Sequence, residues 1–413
     1  MKITSKIILY ICTILLLVSC ASTNSNTINE LEKENLSFIM AADWRHFATE
    51  RYHSSEYLQG ALEAIKEVGK GSFMVSPGDL DPVAASLDII TRILGEDYPW
   101  YPVNGNHEIE DLSDMQLLRD INAGGNSLPN IVNSGPPGSL ETMFSYDYGN
   151  CHFIVLNQYF DGKSDMGTDG DLVPETLDWL ENDLKMNKKP YVFVIGHEPL
   201  ISIPDLANGR IRHVGDSLDK YPRKAYKFYS LMMKYNVVAY LCGHTHNTSY
   251  SNINGLWQFD CGHARGTEDL FPEGIYSSIS NLIDNMGLTL DSAFVKFYKD
   301  NSYPTKKVMY YMDLTDGISY KKLDDVTGFE IMKSFYYNAK DLGDERNTYF
   351  EAYWKNWDLS KSSFVKFRVF NNQLLIDIYR NDGFGGPYIV DKALKLNMDT
   401  KSLIDLTNIK INE

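Results

Sequence analysis

The stretch VVAYLCGHTH, Val237 to His246, decides the fold. Six β-prone residues run without a charge, break at Gly243 and release two histidines. Such a run, bounded by a turn signal, reads as a buried strand. The glycine lets the chain turn sharply and bring its backbone close to whatever the histidines bind. The pattern recurs upstream. SFMVS leads into Pro77-Gly78-Asp79, WYPV into Asn104-Gly105-Asn106-His107-Glu108, and YVFVI into Gly196-His197-Glu198-Pro199. SFIMAA ends in Asp43. Strand-like runs thus end repeatedly in residues that bind metals, and four of the nine histidines fall in these clusters. Singly each piece is weak, because a lone Gly-His or Gly-Asp is more often only a turn. Their joint occurrence in this order is not accounted for by turns.

Helical patterns lie between the runs. Ser55 to Val68 sets Tyr57, Leu58, Ala61, Leu62 and Ile65 on one face. Pro174 to Met186 carries a Leu177, Leu180, Leu184 stripe behind a proline suited to the first turn. Alternating strands and helices predict an α/β fold, with ligands held in a crevice beyond the carboxyl ends of the strands. SYSNINGLWQFDCG places Asn254-Gly255 between two β-prone runs, which predicts a hairpin. FVKFRVFNNQLLIDIYR alternates around Asn371-Asn372, so the end of the chain reads as mainly β. Its aromatics, as in YFEAYWKNW, suit either a core or a glycan-binding surface.

The chain has 413 residues, 43% hydrophobic and 23% charged, ordinary for a globular protein and long enough for one large core or two domains. A net charge of −16 excludes a nucleic-acid backbone as the main partner. At the N-terminus, Lys2 and Lys6 precede the apolar run Ile7 to Ser19, which is too short to span a bilayer comfortably. The run closes in LVSC, which resembles a bacterial lipobox. That ending predicts a signal peptide over 1–20, a lipid on Cys20, a polar tether over 21–35 and a membrane-anchored lipoprotein of the bacterial cell envelope; a simple transmembrane anchor, or ordinary cleavage near Ala21, is the other reading. Cys151, Cys242 and Cys261 sit in or beside apolar runs and read as small buried residues, with no disulfide framework in their spacing.

Gly-Asp, Gly-Asn-His-Glu, Gly-His-Glu-Pro and Gly-His-Thr-His, in this order, resemble the calcineurin-like metallophosphoesterases. YDYGNCHFIVLN, LDWLENDL and KPYVFVIGHEPL are similar to that family between its motifs. The resemblance covers 36–266 and leaves 267–413 as a β-rich C-terminal region. It implies a double mixed β-sheet sandwich flanked by helices. It also implies one or two divalent transition ions, Zn, Fe or Mn, with Asp79 bridging. Asn106, His197 and His244 would complete one set, and Asp43 and His246 would belong to the other. His107, which follows a ligand, would face the substrate and stabilise or protonate the leaving oxygen. Such a site hydrolyses a phosphate mono- or diester by a metal-activated hydroxide. A bridging carboxylate holds two cations about 3.5–4 Å apart. Two dications less two carboxylates leave roughly +2, which stabilises a phosphoryl transition state.

Two positions depart from the family pattern. A histidine is expected two residues after Asp43, and Arg45 stands there. Arginine stays protonated and offers no lone pair to a metal. Water can fill the position, His46 can turn inward, or Arg45 can grip a phosphoryl oxygen as a substrate-binding, catalytic group; pairing with Glu50 or Asp81 is the bland reading. The acid expected three residues after Asp79 is replaced by Pro82, with Asp81 one place earlier. The expected function is therefore metal-dependent hydrolysis of a phosphorylated small molecule or other phosphoester. The rival is a catalytically degenerate lipoprotein that binds phosphate or glycan.

Overall fold

In the computed structural model, alternate residues of the first strand, β1 (Leu36–Met40), face two different cores. Leu36, Phe38 and Met40 join one and Ile39 joins the other, as the two-residue period of a strand requires. The structure describes residues 35–45, 54–200, 217–218, 221–246, 248–253, 255–261, 264, isolated positions between 282 and 296, 352–356 by backbone alone, 362–381 and 387–407. The signal, the tether up to residue 34, His46, Glu50 and the YFEAYWKNW side chains lie outside what is described.

Among the described residues the strands form two sheets. One contains β1, β2 (Met74–Pro77), β3 (Trp100–Val103), β12 (Ser363–Phe370), β13 (Gln373–Arg380), β14 (Ile389–Asn397) and β15 (Leu403–Asp405), in the order β15-β14-β13-β12-β1-β2-β3. The other contains β4 (Ile131–Ser134), β5 (Phe144–Tyr148), β6 (Cys151–Val155), β7 (Tyr191–Ile195), β8 (Ala239–Cys242), β9 (Thr248–Ile253), β10 (Leu256–Cys261) and β11 (Ala352–Asn356). Its order is β11-β9-β10-β8-β7-β6-β5-β4. Both sheets are mixed: β1-β2-β3 and β6-β7-β8 run parallel, whereas β12 is antiparallel to β1 and β9 to β10. The expected hairpin forms as β9–β10, with Gly255 at φ 100°, and the alternating segment around Asn371-Asn372 forms a second one, β12–β13, with Asn371 at φ 51°. The C-terminal strands extend the first sheet rather than standing apart from it.

Aromatic rings pack between the sheets. Phe38 stacks on Phe73 at 5.2 Å and on Phe367 at 4.8 Å within its own sheet. It meets Phe153 edge-on at 5.1 Å and Phe193 at 5.8 Å across the gap. Phe38 is fully buried, so truncating it to alanine is expected to cost about 3–5 kcal/mol.

The outer faces are covered by helices. α1 (Ser54–Val68), α2 (Val83–Leu94) and α3 (Leu112–Ile121) lie over the first sheet. α3 begins where the Asp111 carboxylate accepts Ser113 N–H at 2.7 Å. Lys366 donates to the terminal Val68 carbonyl of α1, joining that helix to β12. α4 (Pro174–Met186) and α5 (Pro222–Lys234) open with proline, where its missing N–H costs nothing. Leu177, Leu180 and Leu184 of α4 are buried, as their spacing predicts, and Phe228 of α5 meets Tyr240 edge-on at 5.3 Å.

His152 is held between Asp147 at 2.7 Å and Asp183 at 2.8 Å, joining β6 and β5 to α4. Burial opposes its charge, yet the two carboxylates outweigh burial and raise its pKa above 6.5. Cys151, Cys242 and Cys261 are free and buried. Among the described residues no helix is long and apolar enough to cross a membrane.

Candidate metal centre

Backbone pairing continues past the strand ends and sets the loops of the site. Asp43 N–H donates to the Gly78 carbonyl at 3.1 Å, carrying the β1–β2 ladder into both loops. Gly196 N–H donates to the Leu241 carbonyl at 3.1 Å, and Gly243 N–H to the His197 carbonyl at 2.9 Å, doing the same for β7 and β8. The chain then turns sharply. Asp43, Arg45, Asp79, His244 and His246 have φ of 58°, 37°, 56°, 72° and 54°. Left-handed backbone costs a non-glycine residue on the order of 1–3 kcal/mol and persists only where the surroundings over-determine it. Here all five stand at the ends of strands from the two sheets.

These turns bring Asp43, Asp79, Asn106, His107, His197, His244 and His246 into one crevice. His197 Nε2 lies 3.3 Å from Asp79 Oδ1, 3.2 Å from Asn106 Oδ1 and 3.1 Å from His244 Nδ1. His246 Nε2 lies 3.7 Å from Asp43 Oδ1 and 4.0 Å from Asp79 Oδ2. Ligand atoms of Asp43, Asp79 and His246 all fall within 4.8 Å of one another, and all three residues are buried. Donors ~2.1 Å from a tetrahedral ion sit roughly 3.4 Å apart, so these separations suit donors sharing a cation. Asp79 reaches both groups.

The chemistry of the donors fits a divalent ion. His197 Nδ1 is 2.6 Å from the Pro77 carbonyl. A hydrogen bond there places the proton on Nδ1 and leaves the Nε2 lone pair facing Asp79 and Asn106. Burial lowers the His197 pKa and keeps the ring neutral. Asp43 is oriented by His244 N–H, at 2.9 Å from Oδ1 and 3.1 Å from Oδ2. The cradle has no room for side chains behind the ligands. A Cβ on Gly105 would lie 2.4 Å from Asp79 Oδ1, and one on Gly243 2.3 Å from Asp43 Oδ2.

His107 stands at the rim, its side chain 17% exposed, while His197 is fully buried and His246 nearly so. Its Nε2 is 3.7 Å from Asp79 Oδ2 and its Nδ1 3.5 Å from Glu110. Glu110 is itself 69% exposed, so this contact holds His107 only weakly. Arg45 lies beside Asp81, with Nε 3.5 Å from Oδ1. Neither atom completes a hydrogen bond among the described residues. Burial raises the Asp81 pKa, against the pull of Arg45.

Glu108 does more than open a helix turn. It is fully buried and accepts Asp79 N–H at 3.0 Å, Leu80 N–H at 2.5 Å and Gly105 N–H at 2.6 Å. One carboxylate thus ties the Asp79 loop to the Asn106 loop. Burial and the neighbouring Asp79 and Asp81 push its pKa up, while the N–H donors of Gly105 and Leu80 pull the other way by favouring the ionised form.

Two mixed sheets with helices outside them, and a carboxylate–imidazole–amide crevice at the strand ends, define a metallophosphoesterase fold. The calcineurin-like phosphoesterase family matches residues 37–248, over half of the chain, and this chain belongs to it. It is similar to tartrate-resistant acid phosphatase type 5 of Rattus norvegicus, 23% identical over 248 residues, covering 54% of this chain and 70% of that protein. It is similar also to purple acid phosphatase 22 of Arabidopsis thaliana, 26% identical over 201 residues, with 46% and 42% covered. The solved structure of PhoD aligns over 91% of this chain and 72% of its own, at 11% identity and a TM-score of 0.45. Family and relatives support phosphoester hydrolysis and imply a divalent metal centre.

Proposed function

We propose that the chain is a metal-dependent phosphoesterase of the bacterial cell envelope, acting on a phosphorylated small molecule or another phosphate mono- or diester. The convergence of Asp43, Asp79, Asn106, His197, His244 and His246 carries this reading. Bound divalent ions, Zn, Fe or Mn, would supply the positive charge that draws a phosphate ester and the acidity that makes water a nucleophile. Asp79, Asn106, His197 and His244 would hold one ion, and Asp43, Asp79 and His246 the other. His107, the rim histidine, would face the ester and donate a proton to the leaving oxygen. Arg45 has five donors in a planar fork. With Nε turned to Asp81, the rest of that fork suits a phosphoryl oxygen.

The envelope address rests on the sequence of 1–20. It predicts lipid on Cys20 and a tether over 21–35; the catalytic region assigned to 36–266 shares its first sheet with strands of the β-rich 267–413. Metabolic labelling with palmitate tests it: label should appear on the wild-type chain and vanish in Cys20→Ser.

The enzymatic reading is tested by metal content per chain together with hydrolysis of an aryl phosphate, before and after chelation. Metal-bearing, active protein silenced by chelation is expected. A metal-poor chain that binds phosphate without turnover would favour the binding-protein reading, which Arg45 at an expected histidine position supports. Arg45→His should raise metal occupancy and weaken phosphate binding; no change in either would remove Arg45 from the site.

A further inference from the structure

Past the end of β6, two consecutive amides reach opposite halves of the crevice. Asn157 is fully buried, and its Oδ1 accepts Asn104 Nδ2 at 3.0 Å and Tyr159 N–H at 2.8 Å. Its Nδ2 donates to Thr142 Oγ1 at 3.0 Å and to the Asp165 carbonyl at 2.9 Å. Asn104 lies two residues before Asn106 in the same loop. Gln158, also fully buried, takes Glu198 N–H on Oε1 at 2.6 Å. Its Nε2 gives to the Glu198 carbonyl at 3.1 Å and to Tyr240 Oη at 2.9 Å. Glu198 follows His197 directly. One amide therefore grips the loop of Asn106, and its neighbour grips the N–H and C=O of the residue beside His197.

We infer that Asn157 and Gln158 are a positioning pair that sets the spacing between the Asn106 and His197 loops and so pre-forms one cation position. The inference rests on the metal-centre reading above and deepens it. The facing atoms, Asn106 Oδ1 and His197 Nε2, stand 3.2 Å apart although their strands belong to different sheets. Asn157 and Gln158 together reach both loops. Amides are required because each head must donate and accept at once. A carboxylate at 158 would turn an acceptor toward the Glu198 carbonyl. There is no slack for a longer route: a Cβ on Gly196 would lie 3.0 Å from the Gln158 Cδ. The heads of Asn157 and Gln158 are bonded on both their oxygen and their nitrogen, and buried amides held in this way fix a geometry rather than merely adding stability.

The test is Mn2+ affinity of the metal-stripped full chain, measured by competition with a chelator well below the melting temperature. Gln158→Glu, Gln158→Met and Asn104→Ala should each weaken Mn2+ binding on the order of 10- to 100-fold, with occupancy restored at saturating Mn2+. A residue that only stabilises the fold would lower the melting temperature and leave this affinity alone. Affinities within about twofold of wild type in folded variants would therefore overturn the inference. If Gln158→Glu does not fold, the uncharged Gln158→Met and the peripheral Asn104→Ala carry the same measurement. A wild-type chain that binds no Mn2+ or Zn2+ would instead refute the metal centre itself, and the positioning role with it.

Discussion

Replacing Glu108 by glutamine probes how the site is assembled, because it changes charge and leaves shape alone. The carboxylate receives two N–H groups on Oε2, from Asp79 and Gly105, and one on Oε1, from Leu80. Glutamine has a single acceptor oxygen. Set in the Oε2 place, it keeps two bonds in weaker, uncharged form and turns its NH2 against the Leu80 N–H. A hydrogen bond to a charged group contributes about 1.5–3 kcal/mol, and a buried orphaned donor costs about 1–3 kcal/mol. Loss of one bond and weakening of two predicts roughly 2–4 kcal/mol of destabilisation. For a chain of 413 residues that is about 2–5 °C in melting temperature. Urea unfolding of the metal-stripped full chain measures it without the contribution of a bound ion. Mn2+ affinity should fall as well, on the order of tenfold or more, because the two tied loops carry Asp79 and Asn106. A variant within about 0.5 kcal/mol of wild type, with unchanged Mn2+ affinity, would show that Glu108 does not join the loops.

His244→Ala should remove a donor from the His197 side, lower metal content per chain and nearly abolish aryl phosphate hydrolysis; full activity would refute the assignment. Gly105→Ala would drive a Cβ to 2.4 Å from Asp79 Oδ1, so metal content should drop as the loop shifts, read by elemental analysis of the purified chain. His152→Gln tests pH linkage away from the site. The wild-type histidine has a folded-state pKa above 6.5, so its stabilisation is fully present below 6.5 and is lost as pH rises through that pKa. The difference in unfolding free energy between wild type and His152→Gln should therefore be widest near pH 6, up to about 3–5 kcal/mol as for a broken buried ion pair, and shrink on raising the pH. A gap that widens with pH would contradict the charged bridge.

The parts that could be read in the sequence share one property: their signals are local. An apolar run, a glycine and a ligand follow one another within about ten residues, so each strand end announced itself, as did the Leu177 stripe and the β9–β10 turn. What escaped depends on distance. The pairing of β1 with β12 joins Leu36 to Val369, and nothing in either segment names the other. Glu108 looks like a helix-start acid until its three N–H partners from two loops are in place. Asn157 and Gln158 look like ordinary polar residues after a strand, and only the convergence of both sheets shows what they grip. The two carboxylates that hold His152 come from opposite directions, Asp147 from the neighbouring strand and Asp183 from a helix some thirty residues later, and neither spacing marks a pair.

That β1 is flanked by β2 on one side and β12 on the other has a consequence for biosynthesis. Asp43 sits at the tip of a strand whose second neighbour, β12, is made more than three hundred residues later. A nascent chain can form its central parallel strands early, but β1 keeps an open edge until β12 is made. Products that stop short of β12 should therefore accumulate as inactive, aggregation-prone species, and the site should be completed only once β12 has emerged and paired with β1.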